Sequence, residues 1–236
     1  MAVDGSRAHR LHGGDAVSDQ EGTIPQQDGL EADYVAALSR PSVVQAYAGW
    51  EELSAAERFC FERFLRPEFS VLDLGCGAGR FLAATGSNWR AYVGIDNSEA
   101  MTGAARARFP NADFRQGDMF RLEVTRHSYD AVLMLRNVID MLHPLERRSA
   151  ALSLAREALS ERGILVCSSH LARRGQPAGY VQEDYHGAIV STYRSAISEW
   201  CAELERAGFD VVMVLRDVRE TGDADWAYAV AQPNVV

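Results

Sequence analysis

Three glycines at two-residue spacing, Gly75, Gly77 and Gly79, stand between the apolar run Val71 to Leu74 and a stretch of helical character. A strand that enters such a turn and leaves as a helix lets the backbone approach a ligand to contact distance, which a Cβ would prevent. The helix start also presents N–H groups that have no partner within the helix. The next apolar run ends in Gly94-Ile95-Asp96, and Asp96 follows Gly75 by 21 positions. A carboxylate at the end of a second strand is where a nucleotide ribose offers its two hydroxyls. Strand, glycine turn, helix, second strand and terminal acid together point to a nucleotide-bearing cofactor.

Two ligand classes compete for such a site. A dinucleotide fingerprint reads Gly-x-Gly-x-x-Gly; here the spacing is Gly-x-Gly-x-Gly, and Arg80 holds the place of the third glycine. The segment Val71 to Arg80 closely resembles motif I of the class I S-adenosylmethionine-dependent methyltransferases, with Asp73 at its acidic position. Gln116-Gly117-Asp118-Met119 resembles that family's adenine-contacting element, Tyr129 to Met134 its fourth-strand motif, and Gly163 to Val166 its fifth. The resemblance covers roughly Leu53 to Ala231. It implies a Rossmann-like α/β fold and S-adenosylmethionine as cofactor, held by Asp73, Gly75, Cys76, Gly77, Gly79, Arg80, Asp96, Asn97, Asp118, Met119 and Arg136. Families of this kind also close the pocket with residues ahead of motif I, which implies Tyr47 over the cofactor and Glu57 near its amino group. Core packing for Tyr47 and a helix-surface charge for Glu57 are the alternatives.

Methyl transfer from a sulfonium is an in-line displacement, so the protein supplies mainly alignment. A base is needed only where the acceptor carries a proton. Ligands in open α/β sheets lie outside the carboxyl ends of the strands, here the loops holding Arg136, Asn137, Asp140 and His143, then Ser169 and His170. His170 is the preferred base, because imidazole titrates near neutrality without special tuning; Asp140 and His143 are the further catalytic candidates. The stretch Leu171 to Tyr193 exceeds what the family core needs. Its Tyr180, Tyr185, His186 and Tyr193 favour an ordered substrate lid, with Asn137 facing the acceptor and Arg173 and Arg174 either anion-binding or solvated. The amino-methyltransferases of adenine and glutamine carry Asn/Asp-Pro-Pro-aromatic after the fourth strand, whereas this chain reads Leu135-Arg136-Asn137-Val138. A small acceptor, methylated at N, O or C, fits better than a polymer. The rival readings are a nicotinamide-dependent oxidoreductase and a cofactor-binding partner protein without activity.

The elements that must hold these residues follow from periodicity. Residues 1–30 show no apolar period and read as a disordered tail. Cap helices are expected over 31–66, interrupted near Pro41, and a single methyltransferase domain over 31–236 with the lid at 171–193. Short apolar runs at Val71 to Leu74, Tyr92 to Ile95, Ala112 to Phe114, Tyr129 to Leu135 and Ile164 to Ser168 alternate with helical stretches, including Leu145 to Glu161 closed by Gly163. Such alternation predicts a parallel sheet with helices on both faces. Phe209 to Leu215 and Trp226 to Ala231 leave no room for a crossover helix, which predicts an antiparallel C-terminal pair and seven strands in all.

Composition narrows the classes further. The chain has 236 residues and a net charge of −9. Its 24 basic residues are all arginine, so Schiff-base, P-loop and general-base lysines are excluded. The acidic balance argues against a nucleic-acid footprint. No run approaches the ~20 apolar residues of a membrane span, and the N-terminus lacks a secretory apolar stretch. The four cysteines, widely spaced, suggest neither a metal site nor a disulfide framework. A cytoplasmic monomer or homodimer acting in bacterial secondary-metabolite biosynthesis is the expected setting.

Overall fold

The computed structural model describes residues 27–121, 123–173, 175–185, 188–218 and 224–234. The expected tail therefore lies outside the described residues up to position 26, whereas 27–30 are helical. They open α1 (Gln27–Leu38), and α2 (Pro41–Ala48) follows with Pro41 in its first turn, where the absent N–H leaves no bond unmade. In α3 (Ala55–Phe64) the Ser54 hydroxyl accepts from the Glu57 amide while the Glu57 carboxylate accepts from the Ser54 amide. This reciprocal cap fixes the helix start.

Strands and helices then alternate: β1 (Ser70–Leu74), α4 (Arg80–Thr85), β2 (Ala91–Asp96), α5 (Glu99–Arg108), β3 (Asp113–Gln116), β4 (Tyr129–Met134), a 3₁₀ segment (Arg136–Met141), α6 (Leu145–Ala158) and β5 (Leu159–His170). After an excursion come α7 (Ile197–Arg206), β8 (Phe209–Val218) and β9 (Ala224–Pro233). The main sheet has the order β3-β2-β1-β4-β5-β9-β8. Its first five strands are parallel, and β9 runs antiparallel to both β5 and β8. The seven-stranded, mostly parallel sheet and its antiparallel C-terminal pair are as expected. One face carries α6 and α7, where Leu152, Ala155, Trp200 and Leu204 bury against β4 and β5. The other carries Cys60 and Phe61 of α3 with Phe81 of α4.

The stretch expected as a lid is a β-hairpin, β6 (Gly179–Tyr185) paired with β7 (Ala188–Arg194), forming a sheet of its own. Its base is pinned beside β5: Leu171 bridges Ser195, the Ser195 amide donates to the His170 carbonyl (2.8 Å), and the Ala172 amide donates to the Ser195 carbonyl (3.0 Å). Tyr185 packs on Tyr34 of α1 with ring centroids 5.8 Å apart. Arg174 and His186 lie outside the described residues.

One boundary differs from the expectation. The helix read as Leu145 to Glu161 ends at Ala158, and Gly163 lies inside β5 rather than closing a helix. Three helix-tolerant residues, Ser160 to Arg162, misled the pattern. Gly163 is there for space: a Cβ would stand 2.7 Å from Leu159 Cδ2 and 3.0 Å from the Tyr129 carbonyl oxygen. Gly163→Ala is therefore expected to lower stability by about 1–3 kcal/mol, to be read from urea denaturation.

Candidate cofactor site

The strand order reverses beside β1, so the carboxyl ends of β1, β2 and β4 open onto a crevice. Gly75, Gly77 and Gly79 all have φ between 54° and 79°, a region costly to any residue with a Cβ. Gly75 also lies against Val138, whose Cγ2 would stand 2.2 Å from a Cβ there. Gly77 is different, since the nearest atom to its Cβ position is Tyr47 Cδ1 at 3.9 Å. The backbone at Gly77 thus borders the pocket, with the Tyr47 ring across from it.

Asp96, at the end of β2, organises this loop. Its Oδ2 accepts from the Gly77 amide (2.9 Å) and its Oδ1 from the Ser98 amide (2.9 Å). Burial pushes its carboxyl above the usual range, while the two amides favour the charged form. The amides of Gly75 and Cys76 both donate to the Ile95 carbonyl (2.7 and 3.0 Å), which ties the loop to the same strand end. Asp96 and Asn97 line the pocket on one side, and Gly117, Asp118, Met119 and Phe120 continue that wall. Asp118 is held by Arg147 of α6, whose Nη2 lies 3.4 Å from its Oδ2 and whose guanidinium covers the Phe120 ring at 4.6 Å. Leu135, Arg136 and Val138 form the opposite wall, while Tyr34, Val35 and Leu38 of α1 add a cover.

Not every residue expected at the cofactor lines this pocket. Asp73 is buried beneath the loop, where it accepts from the Tyr92 hydroxyl (2.8 Å). Cys76 turns into the core, its Sγ 2.9 Å from where a Cβ of Gly94 would stand. Gly79 caps α4, and Arg80 pairs behind the wall with Glu57 (2.7 and 2.8 Å). These four shape the loop from behind. Glu57 is fully buried, so the helix-surface reading of it fails. Burial alone would raise its carboxyl, but Arg80 and Arg136 overcome that and hold it below the usual range.

The catalytic and substrate candidates lie farther along the strand ends. Asp140 is fully buried, accepting from the Ser169 hydroxyl (2.6 Å), the His170 amide (2.8 Å) and Arg148 Nη1 (3.3 Å). His170 Nδ1 lies 3.6 Å from Asp140 Oδ2, and the ring rests on Trp226 at 3.7 Å. Trp226 in turn lies 5.2 Å from the Arg136 guanidinium. His143 donates from Nε2 to the Ser191 carbonyl (3.1 Å) and stacks on Tyr180 at 4.0 Å, a joint between the 3₁₀ segment and the hairpin. Tyr180 donates to the Leu142 carbonyl and Tyr193 to Glu199. None of His170, Asp140, His143, Tyr180, Tyr185 or Tyr193 lines the cofactor pocket. The Asn137 side chain lies outside the described residues.

The pocket walls fit an adenosyl group: a fixed carboxylate for ribose hydroxyls, an acid at Asp118 for an exocyclic amine, and Met101, Ile95 and Met119 for a ring face. Residues 71–163 match the family described as a methyltransferase domain. The chain carries a methyltransferase domain. A dTDP-3-amino-3,4,6-trideoxy-alpha-D-glucopyranose N,N-dimethyltransferase of Streptomyces venezuelae is 27% identical over 157 residues, covering 65% of this chain and 66% of that one. A ubiquinone/menaquinone biosynthesis C-methyltransferase of Campylobacter jejuni is 25% identical over 182 residues, covering 63% of this chain and 74% of that one. The chain thus spans about two thirds to three quarters of the length of these curated relatives. In fold, the methyltransferase matches a Burkholderia thailandensis 1,6-didemethyltoxoflavin-N1-methyltransferase crystallised with its acceptor and S-adenosylhomocysteine (TM-score 0.68, 16% identity, 92% of this chain and 94% of that one). Its cofactor is S-adenosylmethionine.

Sequence reasoning missed Arg147, the place of Tyr34, Val35 and Leu38 of α1 at the pocket, and the Trp226 contact. Arg147 carries no motif, and the pairing of Trp226 with His170 depends on strand register. Asp73 yields a test. Burial pushes its carboxyl up to about 7, against the Tyr92 hydrogen bond that lowers it. Between about pH 4 and pH 7 the folded protein then holds a proton that the unfolded chain has lost, so stability falls as pH rises through that window. Relative to Asp73→Asn, the wild type should lose a few kcal/mol from pH 4 to pH 7 and nothing further above it, as measured by urea denaturation at each pH.

Proposed function

We propose that this methyltransferase acts on a small-molecule acceptor at a nitrogen, oxygen or carbon atom. The observation that carries the reading is Asp96, fixed by two backbone amides at the edge of a pocket floored by Gly77 and covered by α1 and Tyr47. S-adenosylmethionine supplies an electrophilic methyl group on a sulfonium. Asp96 would hold its ribose hydroxyls, Asp118 its adenine amine, and Gly75 and Gly77 would let its chain lie against the backbone. A covered pocket suits a small acceptor better than a polymer. The relatives' names agree, since they describe an amino-sugar nucleotide and quinone precursors methylated at nitrogen and carbon. A place in bacterial secondary-metabolite biosynthesis is the finer reading, supported by the arginine-only composition.

His170 is the base we assign for acceptors that carry a proton. Asp140 fixes its main chain and stands beside Nδ1, which orients the ring. Asp140 is thus a positioning residue, and His143 fixes the hairpin. No helix among the described residues is long and apolar enough to cross a membrane.

Calorimetric titration with S-adenosylhomocysteine, with NADH as control, tests the cofactor reading. Tight binding of the first and none of the second is expected, and Asp96→Asn should weaken it about tenfold or more. NADH binding alone would overturn the reading. Once an acceptor is found, His170→Ala should lower kcat about 100-fold or more while S-adenosylhomocysteine affinity stays within about twofold; an unchanged kcat removes His170 from the chemistry.

A further inference from the structure

Behind the pocket wall one carboxylate serves two guanidiniums. Arg80 closes on Glu57 with two hydrogen bonds of 2.8 and 2.7 Å, one to each oxygen, and reaches the Glu52 carbonyl as well. Arg136 reaches the same carboxylate through Nη2 alone, at 3.1 Å from Oε2. Glu57 also accepts from the Ser54 amide, so its oxygens are heavily used. One positive charge is left over, and it belongs to Arg136, which lines the pocket while Arg80 does not.

The surroundings of Arg136 raise the value of that charge. Trp50 and Trp226 lie 4.7 and 5.2 Å from its central carbon, and they keep water off the guanidinium while offering only π-density. The in-plane N–H groups still need oxygen acceptors, and Nε is buried without one. The backbone at Arg136 is held at φ +61°, with its amide donating to the Ser168 hydroxyl at 2.5 Å. A side chain placed by a strained backbone, two indoles and a shared carboxylate is preorganised for a ligand. Its neighbour across Trp226 is His170, at the end of the sheet assigned to the acceptor.

We propose that Arg136, backed by Glu57 and Arg80, is an anion subsite for the methyl acceptor, which therefore carries a carboxylate or phosphate group. The assignment rests on the cofactor reading above. S-adenosylmethionine has one carboxylate but also an ammonium and a sulfonium, so it brings a net positive charge to a pocket where Arg136 already faces Asp96. An acceptor with an anionic group restores the balance, and the planar guanidinium suits a bidentate oxyanion.

The test is calorimetric titration of S-adenosylhomocysteine-saturated protein with benzoate and methyl phosphate, with benzamide as the neutral control. At least one anion should bind tenfold or more tightly than benzamide; Arg136→Gln should erase that preference and Arg136→Lys keep only part of it. Because Arg136 also lines the cofactor pocket, S-adenosylhomocysteine affinity is measured in the same variant. Equal binding of anions and benzamide, or a preference that survives Arg136→Gln, overturns the subsite. If Arg136→Gln instead weakens S-adenosylhomocysteine tenfold and leaves 5′-methylthioadenosine, which has no carboxylate, unchanged, the anion is the cofactor's own and the acceptor assignment falls. If neither adenosyl ligand binds, the cofactor reading has failed, and the same anion titration of the unliganded protein still decides the subsite. Should Arg136→Gln not fold, wild-type tryptophan fluorescence serves instead: a saturable change with benzoate and none with benzamide supports the subsite, and no change overturns it.

Discussion

The carboxylate of Asp96 joins two pieces of chain that would otherwise be free to move apart. One oxygen holds Gly77 in the middle of the glycine loop and the other holds Ser98 at the start of α5. Through those two bonds the end of β2 sets the shape of the loop after β1. Loop position then fixes where Tyr47 can lie, and the packing of Gly75 on Val138 fixes the segment after β4. A buried charge is costly unless hydrogen bonded, and here the bonds that make it tolerable also build the floor of the pocket.

A second constraint runs through arginine. Glu57 meets Arg80 and Arg136, and Asp140 meets Arg148, which also reaches Glu203 through Nε and Nη2 (3.1 and 2.9 Å). Buried ion pairs contribute little net stability, because desolvation offsets attraction. Their contribution here is placement. Glu57 locks the start of α3 to the loop after β4, and Arg148 locks α6 to the 3₁₀ segment and to α7. A guanidinium can bridge three partners in one plane, which an ammonium does less well.

The sheet was largely legible in the sequence, because buried parallel strands read as continuous apolar runs and the glycine turn marks the first crossover. The boundary at Ala158 was not, since Leu159 to Arg162 carry no strand pattern, and of these Leu159 pairs with Tyr129 ahead of a shift in register. Within the site, Gly75, Gly77, Asp96, Asp118 and Arg136 could be read from motif and spacing. Asp73, Cys76 and Arg80 sit in the same motif yet face away, because a turn directs alternate side chains to opposite sides. Arg147 and Trp226 reach the site through tertiary packing and strand register, and neither leaves a local signal. The pairing of His170 with Asp140 spans 30 positions and depends on β5 lying beside the 3₁₀ segment.

The hairpin β6–β7 leaves and rejoins the sheet at one point, where Leu171 and Ser195 bridge. Its residues contribute nothing to the order of the main sheet, and the chain re-enters α7 as though the detour were absent. An element that sits outside the main sheet, held at its root and by side-chain contacts to α1 and the 3₁₀ segment, can change at positions away from those contacts without shifting the register of the main sheet. Descent within such a lineage can therefore retune what enters the crevice while the machinery for the methyl donor is inherited intact.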